Sequence, residues 1–444
     1  MHYEKFTDGS VKCIEEEIPF ELPDGWSWAR LGSIANIVTG RLDANAQTPD
    51  GEYPFFTCGE EVFKTDTYAF DCNAILLGGN NATGDFKMHK FSGKFNAYQR
   101  VYVITTFPEI DVDYLYNHIR FYLPKLQSQS IGSQTRYLKL GMITDLLVAL
   151  PTFREQKLVS SSCNKYLNYC TEIASEKDDL KKYIKSAKSK ILDLAIRGQL
   201  VPQDPADEPA SVLLERIRAE KEELIKQGKI KRDKKESIIF KGEDNSYYEK
   251  IGSEVHCIDD EIPFELPNRW NWVRLKTICS KIIDGSHNPP KGSDEKTPYI
   301  MASSRNICFD MVTDLENVRY LNDKDFEKEN ARSQLAINDI LLTTVATLGR
   351  SCIYNGVPEN LCFQRSVTVI TTNILPQYLK IFFDAPYFQD FIINNATGTA
   401  QKGFYLNQLE GVLVCVPPVE EQERLSAKIQ QLLSSIQHIE KSLS

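Results

Sequence analysis

A chain of 444 residues is longer than one hydrophobic core usually supports, so its length predicts two or three domains. Hydrophobic residues make up 42% of it and charged residues 25%, which are ordinary values for a globular protein. The formal net charge of −9 argues against a general nucleic-acid-binding protein, although it leaves room for a local basic face.

Three further features bear on the cellular compartment in which the protein is expected. No apolar run approaches the ~18 residues that cross a membrane, and the first ten residues lack the basic-then-apolar pattern of a signal peptide. The 11 cysteines are scattered without a C-x-x-C spacing, which favours reduced thiols over disulfides or a zinc site. We therefore expect a cytoplasmic protein that has no membrane partner.

The first predicted unit covers residues 1–152 and has an α+β pattern. It opens with the segment EIPFELPDGWSWARLGSI, residues 17–34. Short β-branched and apolar runs predict strands at 75–77, 101–105 and 146–150, and a helix is expected near 113–125. Prolines and glycines divide the rest of the unit into short elements and loops.

A long helix is predicted over residues 153–198. Thr152 and Glu155 fit a capping box at its start, and Gly198 can end it. Residues that are uncharged except for Lys177 recur at alternating steps of four and three, at Val159, Cys163, Tyr166, Cys170, Ile173, Lys177, Leu180, Ile184, Ala187, Ile191 and Leu194. This heptad seam predicts a partner helix, and the alternative is that the stripe packs on its own globular unit. Its helical core, 44 residues from Arg154 to Arg197, would be ~66 Å long.

Residues 199–246 are predicted to form a charged helix and a linker. The helix extends from about Pro209 to Gln227 and ends at Gly228. The following run, residues 229–235, is basic at five of its seven positions. Such a run indicates either a solvated linker or an arm that contacts phosphate.

The second predicted unit, residues 247–418, repeats the first in the same order. Its opening segment EIPFELPNRWNWVRLKTI, residues 261–278, matches the first one at 12 of 18 positions, 244 residues later. Strands are predicted at 340–344, 367–371 and 412–416, with a helix near 377–394. Residues 419–444 then repeat the heptad seam, so the chain is a duplicated domain rather than a solenoid.

This arrangement resembles the specificity subunit of type I restriction–modification enzymes. The similarity covers nearly the whole chain and rests on an ordered set of motifs. Each unit opens with Leu-Pro-x-x-Trp-x-Trp-x-x-Leu and is followed by a long helix. Shorter matches are Asp284-Gly-Ser-His-Asn-Pro-Pro290, Gly398-Thr-Ala-Gln-Lys-Gly403 and the segments 191–204 and 209–221.

The resemblance implies two target-recognition domains, each reading one half of a split site on double-stranded DNA. It also implies that the two long helices pair as an antiparallel coiled-coil spacer, which docks methyltransferase subunits in a complex that also has restriction subunits. One departure is that the last helix is more than two heptads shorter than the central one. Trp26, Trp28, Trp270 and Trp272 are expected to bury large apolar area where each unit meets its helix.

The DNA contacts are expected in loops that contain glycine and polar residues. Glycine lets a backbone approach phosphate, and Gln or Arg can bond to base edges. The candidates are Asn80, Asn81, Thr83, Arg100, Gln134, Thr135 and Arg136 in the first unit, and His287, Asn288, Thr344, Thr347, Arg365, Gln401 and Lys402 in the second. Arg100 and Arg365 could equally be structural, and the alternative for the whole set is ordinary surface polarity.

Catalysis by the chain itself has little support in the sequence. Asn288-Pro-Pro290 is similar to the Asn-Pro-Pro-aromatic loop of adenine methyltransferases, but Lys291 stands in the aromatic position and no glycine-rich cofactor loop precedes it. The six histidines form no ligand pattern. We therefore expect no catalytic residue, metal or cofactor. The other hypotheses are a non-catalytic protein–protein scaffold with a coiled-coil spacer and a methyltransferase in its own right.

Overall fold

The computed structural model describes residues 1–228, 232, 236–308, 310–398 and 401–443. Contacts within the chain group these residues into two compact units, Met1–Glu176 and Lys177–Ser444. Each unit mixes helices with mainly antiparallel sheets, as the α+β prediction requires. No helix in the described ranges combines the length and the apolar character that a membrane span needs.

The first unit is built on one large sheet. Its strands are β1 (Tyr3–Lys5), β2 (Val11–Cys13), β3 (Ser27–Arg30), β4 (Ala35–Thr39), β5 (Tyr53–Phe56), β6 (Val62–Thr65), β7 (Phe70–Gly78), β8 (Asn80–Asn81), β9 (Met88–Ala97), β10 (Val101–Thr106), β11 (Arg136–Tyr137) and β12 (Leu147–Leu150). Its helices are α1 (Leu31–Ile34), α2 (Val112–Gln129), α3 (Leu140–Thr144) and the start of α4 (Phe153–Ile196). The main sheet has the order β4-β10-β7-β9-β5-β6, and β3 pairs separately with β12.

Side chains on both faces of this sheet are buried in hydrophobic clusters. Side chains alternate along a strand, so Ile75 and Leu77 of β7 join a cluster with Leu115 and Ile119 of α2. Leu76 between them belongs to the cluster on the opposite face. Helix α2 starts where it does because the side chain of its cap, Asp111, accepts a hydrogen bond from a first-turn backbone N–H.

The second unit repeats this plan with additions. Its strands are β13 (Ser237–Lys241), β14 (Tyr247–Ile251), β15 (Glu254–Cys257), β16 (Asn271–Arg274), β17 (Cys279–Asp284), β18 (Ile300–Ala302), β19 (Ile307–Cys308), β20 (Met311–Val312), β21 (Arg319–Tyr320), β22 (Ile340–Thr343), β23 (Ser351–Ile353), β24 (Leu361–Phe363), β25 (Val367–Thr372) and β26 (Leu413–Val416). Its helices are α5 (Ala210–Lys226), α6 (Asp323–Ser333), α7 (Pro376–Asp384), α8 (Pro386–Asn395), α9 (Leu406–Glu410) and α10 (Val419–Leu443).

The sheets of the second unit follow the same order. The central one is β17-β25-β22-β23, which matches β4-β10-β7-β9, and β16 pairs with β26 as β3 pairs with β12. The faces divide in the same way, since Ile340 and Leu342 of β22 lie in one cluster and Leu341 in the other. A three-stranded sheet, β13-β14-β15, and a second small sheet, β21-β18-β24, extend this unit.

The repeated segments form an equivalent frame in each unit. We call the pair of strands β3 and β12, or β16 and β26, together with the start of the following helix, the frame. The hydroxyl of Tyr114 donates to Ala149 O, and the hydroxyl of Tyr378 donates to Cys415 O at 2.8 Å. The side chain of Gln422 at the start of α10 accepts from Leu375 N and donates to Pro417 O. Duplication of these bonds confirms that the repeat is structural.

The Gln422 bonds have their counterpart in the first unit. The side chain of Gln156, near the start of α4, accepts from Asp111 N at 2.8 Å and donates to Pro151 O at 3.1 Å. Both glutamines are buried, so each long helix begins with its first turn tied to the sheet beside it. The sequence segments that repeat are therefore the segments that join sheet to helix.

Helix α4 has 44 residues, as predicted, but its seam is not covered along its length. Helix α10 contacts the C-terminal part of α4, where Lys188 Nζ lies 2.8 Å from Glu440 Oε1. Leu425 and Ile429 of α10 share a hydrophobic cluster with Ile196. The seam residues Tyr166, Cys170, Ile173 and Leu180 remain exposed. Within the unit Lys177–Ser444 the contact of α10, which has 25 residues, lies near the end of α4, and the antiparallel coiled coil stays a prediction.

Two further predictions have different outcomes. The helix expected near 377–394 is two helices, since Ala385 is extended ahead of Pro386, where an α conformation is disfavoured. The charged helix is α5 and lies within one residue of its predicted bounds. The basic run that follows falls outside the described residues except for Arg232, whose guanidinium pairs with Glu222.

Candidate nucleic-acid interface

In the second unit, four loops meet at one end of the central sheet. The loops are formed by residues 284–288, 343–347, 364–366, and 397–398 with 401–403, and together we call them the rim of the unit. Ser286 N donates to Phe363 O at 2.7 Å, and Arg365 N donates to Ser286 O at 2.8 Å. Thr344 N bonds to Ser366 O at 3.0 Å, and Ala346 N bonds to Lys402 O at 3.2 Å. Segments far apart in sequence thus form one continuous surface.

The first unit has an equivalent rim, made of loops 40–43, 78–84, 98–100 and 131–138. Gly40 N donates to Val101 O, and Gly79 N donates to Arg100 O at 2.7 Å. Leu138 N donates to Gly79 O at 2.8 Å, while β8 pairs with β11. The loops that carry the candidate residues of the first unit are therefore neighbours, although the paired residues Asn81 and Arg136 are 55 positions apart in sequence.

Most candidates of the first unit are accessible on this rim. Thr83, Arg100, Gln134 and Thr135 are exposed, and Asn80 and Asn81 are half-buried. The side chain of Asn81 accepts two hydrogen bonds of 2.8 Å from Thr83, which shapes the loop.

Arg136 is held by the unit itself. Its Nε donates to Ser130 Oγ at 2.8 Å, and a terminal nitrogen donates to Ser130 O at 3.0 Å. The guanidinium is half-buried, and a methyl group added at Gly84 would lie 3.0 Å from its side chain. These contacts connect the loop 131–137 to the end of α2. The Arg136 side chain therefore positions the loop.

The candidates of the second unit divide into exposed and buried residues. His287, Asn288, Arg365, Gln401 and Lys402 are exposed on the rim. Thr344 is only 1% exposed, and its hydroxyl lies 3.1 Å from that of Thr368. The expectation that the Thr344 side chain contacts DNA is therefore corrected: Thr344 directly follows β22, and its side chain is buried against Thr368.

Thr347 is half-buried, and its buried hydroxyl oxygen has no hydrogen-bond partner among the residues that the structure describes. Such a group costs free energy unless a ligand or water satisfies it. The hydroxyl lies in the loop that bonds to Lys402, so it belongs to the rim although it is not on its surface.

A carboxyl group lies under the rim of the second unit. Asp284 is buried, accepts a hydrogen bond of 2.7 Å from Thr368, and lies 3.6 Å from Nε2 of His287. Burial raises the pKa of Asp284, while the bonds from Thr368 and His287 act in the opposite direction. The pair ties the exposed His287 ring to the sheet edge. Among the described residues, no group of His, Cys, Asp or Glu is arranged to hold a metal ion.

A polar cleft beside this rim was missed in the sequence. It has a volume of about 450 Å³ and shares Gln364 with the rim, and its other lining residues include Ser303, Arg305, Asn306, Asn317 and Arg319. Arg305 is exposed, whereas a terminal nitrogen of Arg319 donates to Pro290 O at 2.6 Å. The cleft lies in the divergent segment 285–364, so neither the repeat nor a motif pointed to it.

Glycines close both rims at equivalent positions. A Cβ added to Gly40 would lie 2.2 Å from Ala97 O, and one added to Gly285 would lie 2.3 Å from Phe363 O and Gln364 O. Side chains cannot be accommodated at such distances from backbone atoms. The contact brings together the two ends of each divergent segment, residues 40–99 and 285–364.

We expect Gly285→Ala to destabilise the second unit by about 2–3 kcal/mol, because the methyl group would force the rim loops apart. The measurement is urea denaturation followed by hydrogen exchange of peptides from residues 279–284 and 367–372. Gly411→Ala is the matched control, since its added methyl group would lie 3.6 Å from the nearest atoms and should change stability by only a few tenths of a kcal/mol. Equal stabilities for the two variants would contradict the close packing of this rim.

Two homologous units, each with polar loops gathered at one sheet end and joined in sequence by a long helix, define a duplicated recognition protein. The family model described as the type I restriction modification DNA specificity domain matches residues 23–182 and 267–444. The chain therefore belongs to the type I restriction–modification specificity subunit family. Specificity subunits are non-catalytic, so the chain is not an enzyme by itself.

Relatives from Escherichia coli carry the same description. The chain is 28% identical over 435 residues to the type I restriction enzyme EcoDI specificity subunit, covering 96% of this chain and 85% of that protein. It is 33% identical over 264 residues to the EcoAI specificity subunit, covering 58% of this chain and 41% of the relative.

Solved structures show the same fold. A chain from a study of complex assembly and conformational transition of the type I R-M system has a TM-score of 0.62 at 14% identity, with 96% of this chain and 94% of that chain covered. The HsdS subunit from Thermoanaerobacter tengcongensis has a TM-score of 0.54 at 15% identity, with the same coverage.

Proposed function

We propose that this chain acts in the cytoplasm as the DNA-reading subunit of a type I restriction–modification complex. Each unit reads one half of a bipartite site on double-stranded DNA, and methyltransferase and restriction subunits dock on the chain and carry out the chemistry. The observation that carries this proposal is the equivalence of the two rims. They have the same place in the fold and the same closing glycine, but they present different exposed side chains.

The exposed rim residues have the chemistry that DNA reading requires. Asn288 and Gln401 offer amide donors and acceptors for base edges, while Arg365 and Lys402 offer positive charge for phosphate. Arg305 in the adjoining cleft adds a second guanidinium near Gln364. The corresponding set of the first unit is Asn80, Asn81, Thr83, Arg100, Gln134 and Thr135.

The net charge of −9 supports a role for partners in binding. Neutralisation of phosphates by positive side chains supplies much of the affinity of a protein for DNA. A chain with a net negative charge contributes little of this neutralisation. We propose that the docked methyltransferase subunits add positive surface. On this account the rims select the sequence, and the assembled complex supplies most of the affinity.

The long helix is proposed as the spacer and docking element. It is ~66 Å long, enough to span half-sites about one DNA turn of ~34 Å apart. An antiparallel coiled coil would extend the contact between α10 and the end of α4. The exposed seam residues Tyr166, Ile173 and Leu180 would then be covered by partner helices, because an apolar stripe of this length is unfavourable in water.

Lys402→Ala should weaken binding to every DNA sequence and lower the salt dependence of affinity, d log K/d log[salt], by about 1, as loss of one phosphate contact requires. Its neighbour Gln401 provides the contrast. Gln401→Ala should cost ~1–3 kcal/mol on the target and relax one position, if the amide reads a base. Affinities are measured for the complex with methyltransferase subunits, over a series of salt concentrations. Lys250→Ala, at an exposed strand position outside the rim, is the control.

The test of the function as a whole is methylome sequencing of a host with and without this chain. A bipartite methylated motif that disappears with the chain supports the proposal. An unchanged methylome, combined with assembly of partner proteins on the chain, would favour the scaffold hypothesis instead. Methylation by the purified chain alone with S-adenosylmethionine would contradict both.

A further inference from the structure

The polar cleft beside the rim of the second unit lies at one end of the small sheet β21-β18-β24. Strands β18 and β24 are parallel, so the residues that follow them, Ser303 and Gln364, leave the sheet at the same end. Strand β21 runs antiparallel to β18, and its first residue, Arg319, pairs with Met301 near that end. Segments that are far apart in sequence therefore line one concave surface with a volume of about 450 Å³.

The turn that carries Arg305 is fixed by hydrogen bonds. The side-chain oxygen of Asn306, a residue that is 1% exposed, accepts from Ser303 N at 2.9 Å, and its amide nitrogen donates to two carbonyl oxygens of the following loop. Ser304 N donates to the hydroxyl of Ser366 at 3.0 Å, and Ser366 belongs to the rim. The backbone of Arg305 is therefore held in place relative to the rim before any ligand binds.

The second arginine of the cleft, Arg319, is held along its side chain. One terminal nitrogen donates to Pro290 O at 2.6 Å. A Cβ added to Gly292, whose φ is +95°, would lie 2.6 Å from Cγ of Arg319, so the glycine leaves room for the arginine stem. Pro290 and Gly292 continue the loop that begins on the rim at residues 284–288. One loop therefore joins the rim to the cleft and orients a guanidinium there.

The cleft is positively charged although the chain as a whole is acidic. Among the described residues that line it, two are arginines and none is aspartate or glutamate. The side chains of Asn317 and Gln364 add amide groups to the same lining. Arg305 is exposed, and its side chain has no ion pair or hydrogen bond with any residue that the structure describes. A guanidinium without a carboxylate partner favours an anion, and phosphate can accept two parallel bonds from it.

The position of the cleft indicates where its anion comes from. Gln364 lines the cleft and also belongs to the rim, and the next residue, Arg365, is exposed on the rim. Arg365 N donates to Ser286 O at 2.8 Å, so this part of the rim is bonded to the loop that reaches the cleft. The cleft is therefore an extension of the rim, and a ligand that covers the rim can extend into it. A DNA strand presents a phosphate at every nucleotide along its length.

We propose that the cleft binds a backbone phosphate of the DNA strand that extends beyond the half-site on this rim, with Arg305 and Arg319 as its ligands. The inference rests on the proposed function, because DNA must occupy the rim before its strand can enter the cleft. Contacts to phosphate fix the position of a protein on the duplex and carry no sequence information directly. Arg305 thus contributes affinity and register, while the rim residues select the bases.

The test compares Arg305→Gln with Lys328→Gln in the full chain assembled with methyltransferase subunits. Lys328 is exposed on α6 and does not line the cleft, so each variant removes one positive charge from the divergent segment 285–364. Arg305→Gln should weaken binding to target and non-target duplexes alike by about tenfold, as loss of a charged hydrogen bond implies. It should also lower the magnitude of d log K/d log[salt] by about 1. Lys328→Gln should change neither quantity.

Uncharged phosphate analogues locate the contact. A methylphosphonate is placed at one position at a time in the target duplex and in its flanks. In the unmodified complex, one position outside the bases of the half-site should cost about tenfold in affinity. In Arg305→Gln the same position should cost little more, because both changes remove the same interaction. Arg305→Lys should retain most of the salt dependence, since lysine also binds phosphate as a point charge.

Three results would overturn the proposal. The first is equal affinity and equal salt dependence in the Arg305→Gln and Lys328→Gln complexes. The second is a motif that relaxes at one base in the methylome of Arg305→Gln, which would make Arg305 a base-reading residue. The third is binding of inorganic phosphate that requires Arg305 while DNA affinity does not, which would assign the cleft to a free anion. In all three the unmodified complex still binds its target, whereas a complex that prefers no duplex would contradict the proposed function and this inference with it.

Discussion

Replacing residues 1–152 with the first unit of a relative that has a different target is expected to rewrite one half of the methylated motif and leave the other half intact. The reason is that each unit carries its own rim and its own frame, and the proposed function assigns one half-site to each unit. The measurement is methylome sequencing of hosts that carry each exchange. The reciprocal exchange of residues 247–418 is the matched control and should rewrite the other half.

A narrower exchange tests which part of the unit does the reading. Residues 40–99 and 285–364 begin and end where Gly40 and Gly285 touch the opposite backbone. Transfer of 40–99 alone should therefore carry the larger part of the change. Loop 131–138 lies outside that segment and should carry the remainder, since it forms part of the same rim. An exchange that alters both halves, or neither, would rule out two independent reading units.

Arg274→Ala is expected to destabilise the second unit by about 3–5 kcal/mol, since it leaves a buried carboxylate without its partner. The guanidinium lies 2.5 Å from Glu249 and 2.9 Å from Glu261, and it also donates to Gly411 O at 3.0 Å. The side chains of Arg274 and Glu249 are 17% and 7% exposed. Denaturant unfolding followed by hydrogen exchange of peptides from the second unit measures the loss.

The first unit contains the control for this substitution. Arg30 pairs with Glu4 at 2.6 Å, but the Glu4 side chain is 22% exposed, so solvent screens that pair more strongly. Arg30→Ala should therefore cost less than Arg274→Ala. A larger loss in the first unit would show that burial does not govern the strength of these two pairs.

The same ion pair gives the second unit a defined response to acid. Burial opposes ionisation of Glu249, but the bonds from Arg274 and Ser237 outweigh it and hold its pKa below the ordinary value of 4.5. The stability that this group contributes is therefore present above pH 4.5 and is lost as the pH falls through the lower folded pKa. Glu249→Gln should flatten this part of the stability curve of the second unit.

The duplication and the central elements could be predicted because they depend on local signals. The strands β7, β10 and β22 are apolar runs, α4 is a long heptad pattern, and α5 has its own terminators. β9 was missed because its exposed positions are occupied by polar residues such as Lys90, Ser92 and Lys94, so it lacks a continuous apolar run. β13 was missed because its pairing with β14 depends on the tertiary fold.

The candidate site was predictable to a smaller extent. Loops could be named from their glycines and amides, and the structure brings them together on each rim. The burial of Thr344 could not be foreseen, since it depends on how the residue after β22 packs against Thr368, which lies 24 residues later in β25. Arg305 was missed because no periodicity or repeated motif accompanies it.

The contact at Gly40 and Gly285 has a consequence for how these units change length. The divergent segment has 60 residues in the first unit, 40–99, and 80 in the second, 285–364. Both ends of the segment already meet, so added residues lengthen a closed loop instead of separating the strands that it joins. For a flexible chain, closing a loop of 80 rather than 60 residues costs only about 0.3 kcal/mol of extra chain entropy. The central sheet of each unit can therefore carry inserts of very different size with almost no thermodynamic penalty.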